Sequence, residues 1–167
     1  MMNSVAVHDK VMRTRRRKSA GWFVFLGGLV AGTFDITFAC TLWAIKVGAR
    51  PSRIFQSVAR GLLGPASFQG GFKTAALGLF LHYFIAMTMS TFYYFAARAW
   101  APLHKYPLRC GAVYGLGLWL VMNYVVIPLS LASRGSADAV WIGLSILVHM
   151  FLIGVPIAFF TRRAIHS

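Results

Sequence analysis

Glutamate is missing from this chain, and only three aspartates, Asp9, Asp35 and Asp138, stand against seventeen lysines and arginines in 167 residues. A pair of catalytic carboxylates is therefore absent, since Asp9 and Asp138 fall outside or at the edge of the apolar segments described below. No Ser-His-Asp spacing and no glycine-rich phosphate loop takes its place. Cysteine is nearly as scarce. Cys40 and Cys110 give no disulfide framework, and their positions point toward opposite membrane faces, so both read as small apolar residues. Charged residues make up 12% of the chain against 58% hydrophobic ones, too apolar a balance for a soluble globule of this length with a separate water-soluble domain.

What the chain does contain is four long runs with almost no charge inside them, residues 20–45, 74–97, 110–132 and 139–161. A hydrocarbon core about 30 Å thick needs about 20 apolar residues of helix, and a helix satisfies its own backbone hydrogen bonds there. The expected fold is thus an all-α membrane protein, a four-transmembrane-helix bundle. It divides into a basic segment 1–19, one membrane domain 20–161 and a C-terminal tail 162–167. The basic stretch followed by an apolar run resembles a secretory signal, and Thr37 to Cys40 faintly resembles a lipoprotein cleavage site. The run is too long for a signal and carries Asp35, so it is read as a retained first helix. Arg15-Arg16 lacks the rest of a twin-arginine signal.

The net charge of +14 would suggest nucleic acid on a soluble fold, but the basic residues flank the apolar runs instead. Arg13, Arg15, Arg16, Arg17 and Lys18 sit where anionic lipid headgroups attract them by about 1 kcal/mol each. The bilayer is the partner these residues imply. A homo-oligomer or a membrane partner stays open. Eleven Lys and Arg fall on the side of the termini and six on the other, which places both termini in the cytoplasm of a bacterial inner membrane. Trp22, Trp43, Trp100 and Trp141 fit an interfacial aromatic belt.

Between the first two runs, Ile54, Phe55, Val58 and Leu62 share one helical face and Arg53, Gln56, Ser57 and Arg60 the other. With Pro51 to start it and Gly61 or Gly64 to stop it, the pattern predicts a short interfacial amphipathic helix over 51–62. A membrane-resting connector is preferred to a lid across an opening among the spans. Gly28 and Gly32 open the first span as Gly111 and Gly115 open the third, and each span precedes one with a mid-membrane histidine. That echo suggests two parallel helical hairpins.

Asp35 follows Gly28 and Gly32 on one helical face, where another helix packs closely, so it points into the bundle. His82 shares a face with Ala75, Gly78 and Ala86 by the same logic. Asp35, His82, Asn123 and His149, one from each span, all fall between the bilayer centre and its distal half. A buried polar cluster of this kind can hold and relay a proton, because ionisable groups in lipid are functional candidates by default. Thr33, Thr37, Thr41, Thr88, Ser90 and Ser145 could extend it. The competing expectation is interhelical glue in a non-catalytic scaffold or assembly protein. A third is a metal or a bis-histidine haem on His82 and His149, although no clustered ligand spacing marks either, and no cofactor is expected.

The order of these features resembles the YagU-like bacterial inner-membrane proteins. The resembling pieces are Gly28-Leu-Val-Ala-Gly32, His82 with the aromatic run after it, Gly111 through Pro128-Leu129-Ser130, and His149 ahead of Arg162-Arg163. The resemblance implies an inner-membrane location and a loose link to acid tolerance, without an established reaction.

Overall fold

A computed structural model describes residues 19–132 and 138–167. The basic run Arg13, Arg15, Arg16, Arg17 and Lys18 lies outside the described residues. Four helices are long and apolar enough to cross a membrane: α1 (Ala20–Val47), α3 (Gly71–Ala99), α5 (Pro107–Leu129) and α6 (Ala139–Ile165). A surface helix α2 (Pro51–Leu63) and a 3-10 turn (Gly64–Gln69) join α1 to α3, and a single turn α4 (Pro102–Lys105) joins α3 to α5. The chain is therefore all-α, with the four expected spans. The last of them runs further than the sequence suggests. Arg162 and Arg163 belong to the final turn of α6, where cations oppose the negative end of the helix dipole.

Local chemistry sets the boundaries. Gly48 ends α1 in the left-handed conformation at φ 65°, with its N–H on the Ala44 carbonyl and the Ala49 N–H on the Trp43 carbonyl. Pro51 then starts α2 two residues after Ala49, at a position that needs no N–H. Asp138 caps α6 by accepting from the Val140 and Trp141 N–H groups at 2.8 and 3.3 Å.

The bundle is held by two glycine crossings. A Cβ on Gly28 or Gly32 would collide with Met87, Ala86 or Tyr83 of α3, so α1 and α3 approach at backbone distance. A Cβ on Gly111 or Gly115 would strike the carbonyls of Gly154 and His149, so α5 lies equally close to α6. Each glycine pair thus packs on the next span in the chain. Gly27 against Ile157 and Phe160 joins the two pairs through α1 and α6.

Packing is tight at the end of the bundle where α1 begins and α6 finishes, called proximal below. Ala31, Tyr93, Ala97, Leu118, Ile153, Ile157 and Ala158 form one core there. Tyr93 donates to the Leu103 carbonyl and Tyr114 to the Met89 carbonyl, and their rings sit 4.7 Å apart, tying α3 to α5. At the distal end the helices spread.

Gly78 does not serve a contact between spans. It receives α2 instead, pressed against the Phe55 carbonyl and the Ala59 backbone. The predicted faces of α2 are corrected accordingly. Gln56 and Ala59 are buried against α3, with Gln56 donating to the Gly71 carbonyl at 3.0 Å, while Leu62 is 60% exposed. A residue small enough for backbone contact outweighs hydrophobicity at that crossing. Gly78→Ala should accordingly destabilise the protein by about 1–3 kcal/mol through overpacking. Gly143→Ala, with nothing within 4 Å of an added Cβ, should leave stability unchanged or slightly raised. Thermal unfolding of both variants in detergent checks the contrast.

Candidate distal vestibule

Where the spans diverge, a cavity of about 300 Å³ opens between all four of them and α2. Asp35, His82, Asn123 and His149 all line it. The four polar residues singled out from depth alone are therefore brought to one space. They are not the buried cluster expected of them. Each is half-buried and faces the cavity, because the tight glycine crossings stop short of the distal end.

Two of the four interact directly. His82 donates from Nε2 to the Gly32 carbonyl at 2.8 Å, a bond that fixes its tautomer and ties α3 to α1. Its other nitrogen, Nδ1, faces Asp35 Oδ2 at 4.0 Å. That is ion-pair reach but longer than a hydrogen bond. With Nε2 committed as a donor, Nδ1 is the ring atom left to face the carboxylate.

Asn123 and His149 serve their own helices. Asn123 Nδ2 donates to the Trp119 carbonyl at 2.9 Å, and His149 Nδ1 donates to the Ser145 carbonyl at 2.9 Å. Both stand at the start of a widened, π-helical turn, Met122–Val126 in α5 and His149–Gly154 in α6. A proline follows two residues after each, Pro128 and Pro156. Proline has no N–H and crowds the carbonyl four residues back, which a wider turn relieves. Side chains that bond a carbonyl four residues back accompany such loosened turns.

The expected hydroxyl extension is mostly absent. Thr37 and Thr41 are exposed on the outer face, Thr88 bonds its own helix, and Ser90 bonds the Val24 carbonyl as a clamp between α3 and α1. Thr33 bonds Leu29 and Tyr83. Ser145 alone of these lines the cavity, and it accepts from Trp119 Nε1 at 3.1 Å. A lateral apolar wall completes the space. Trp43 and Trp141, 5.3 Å apart with Phe38 stacked on Trp141 at 6.0 Å, line it, whereas Trp22 and Trp100 are exposed.

Sequence reasoning missed the part of α2. Ile54, Ser57 and Val58 line the cavity, so α2 covers it and is more than a connector. The amphipathic pattern held the signal, but nothing in the sequence says which neighbour the third face meets. Among the described residues no group of three His, Cys, Asp or Glu comes together to hold a metal ion. The chain matches no protein-family model, no curated protein and no solved structure, so the resemblance to YagU-like proteins stands on its short motifs.

An ion pair joins the distal ends of α1 and α6. Lys46 at the end of α1 bonds Asp138 at the start of α6. That hydrogen bond, then the N–H groups of Trp141 and Val140, hold the Asp138 carboxyl below the ordinary carboxylate range. A carboxyl depressed on folding stabilises the fold above its unfolded pKa, and the benefit is lost as pH falls through the lower folded value. The thermal midpoint should drop on acidification through and below the usual carboxylate range, and Asp138→Asn should blunt that dependence. A pH series of melting curves for both proteins measures it.

Proposed function

We propose that this chain is a multi-pass membrane protein that handles protons or a small solute through the distal vestibule, with Asp35 carrying the proton and His82 relaying it. The single observation behind this reading is the Nδ1–Oδ2 approach of His82 and Asp35 inside a cavity lined from every span. An ionisable pair at membrane depth is costly and is rarely kept without a role. The apolar aromatic wall with a few convergent polar groups suits a small amphiphilic solute better than a hydrated ion. The proximal core beneath the vestibule favours a closed resting state in which the site is reached from the distal side. Placement in a bacterial inner membrane with both termini cytoplasmic is part of the proposal, as is membership of the YagU-like proteins with their link to acid tolerance.

A second reading, a scaffold whose polar groups lock helices, is favoured by one observation. His82, Ser90 and Trp119 each donate across to a neighbouring helix, as interhelical glue does. The two readings part in liposomes. Asp35→Asn and His82→Ala should lower proton flux by about tenfold or more, the scale of losing a proton-transfer group, while folded protein stays at wild-type abundance. Unchanged flux, or loss of folded protein alone, would instead establish the scaffold.

A further inference from the structure

A second, larger cavity of about 790 Å³ adjoins the vestibule beneath α2 and shares with it the walls Trp43, Ile54, Val58, Ile85, Ile127 and Trp141. Its walls are apolar side chains of α2, α3, α5 and α6, among them Ile54, Leu81, Ile85, Val126, Ile127 and Trp141. Its rim carries two arginines. Arg53 lies with its guanidinium 4.3 Å above the Phe68 ring, and Arg60 lies 6.0 Å from the same ring. Stacking on an aromatic face fixes the plane of a guanidinium and leaves its N–H edges free for an anion. Arg60 Nε is buried and has no hydrogen-bond partner among the described residues.

Among the described residues no carboxylate pairs with that donor. The chain holds three acids in all. Asp35 faces His82 and Asp138 holds Lys46, while Asp9 lies outside the described residues. Neither Arg53 nor Arg60 forms an ion pair among the described residues. Two guanidinium groups at the mouth of an apolar space, on a helix of interfacial character, need an anion attached to something greasy.

We infer that Arg53, Arg60 and Phe68 form a binding site for the acidic headgroup of a membrane lipid, whose acyl chain fills the adjoining cavity. The headgroup phosphate accepts from the two arginines as a charge-assisted pair, and the chain runs between α3 and α5 toward Leu81 and Val126. The volume lies within the ordinary range for ligand pockets. The inference is independent of the proton chemistry proposed above, because it uses neither Asp35 nor His82.

Full-length protein, purified in a mild detergent, is titrated with phosphatidylglycerol, phosphatidylcholine and inorganic phosphate, and retained adducts are read by native mass spectrometry. Phosphatidylglycerol should be retained in preference to phosphatidylcholine, and Arg53→Gln/Arg60→Gln should weaken it by about 30-fold, the product of two interfacial cation–anion contacts. Leu81→Trp, which fills the cavity without touching the arginines, should also release the lipid. Equal retention of both lipids, or an unaffected double variant, would overturn the site. Inorganic phosphate that displaces phosphatidylglycerol at matched concentration, with Leu81→Trp silent, would overturn the lipid assignment in favour of a free anion. Should the double variant fail to elute as folded protein, the exposed Arg53→Gln and the Leu81→Trp variant carry the same comparison.

Discussion

Everything in this bundle depends on two places where one helix touches another with no side chain in between. Apolar surface gains little by leaving lipid for protein, so spans are held by close packing and by a few hydrogen bonds that closeness allows. Gly28 and Gly32 admit α3, and Gly111 and Gly115 admit α6. The bonds that follow, Ser90 to Val24 and His82 to Gly32, reach from a side chain of one helix to a carbonyl of the other. The close approach of the helices brings these carbonyls within reach. The same crossings lie toward one end, so tight packing there and an opening at the other are one fact seen twice.

The polar residues follow the rule that unsatisfied groups are expensive in hydrocarbon. His82, Asn123 and His149 each donate to a backbone carbonyl before doing anything else. Only His82 bonds across to a neighbouring helix and keeps a second nitrogen facing a carboxylate. That separates a residue that links two helices and a carboxylate from two that chiefly repair the ladder at a widened turn.

Spans and their order were legible in the sequence because charge-free length has one physical meaning, and the glycine pairs were legible because a missing side chain can only permit approach. Depth placed Asp35, His82, Asn123 and His149 at one level, and one cavity does collect them. Depth could not tell burial from exposure to a cavity, since that depends on where the helices part. Nor did the periodicity of α2 reveal that Gln56 turns inward, because the decisive fact, a notch at Gly78, lies on another helix. Pro128 and Pro156 were visible all along as interior prolines, yet only coordinates tell a widened turn from a simple kink.

Those two widened turns have a mechanical consequence. One, Met122–Val126, sits near the distal end of α5; the other, His149–Gly154, lies midway along α6 and overlaps the proximal core at Ile153 and the glycine crossing at Gly154. A ladder already missing regular rungs bends more easily than an intact one. The stretch of α6 before His149 and the last turns of α5 thus hang from a loosened ladder, and any widening of the chamber would begin with them.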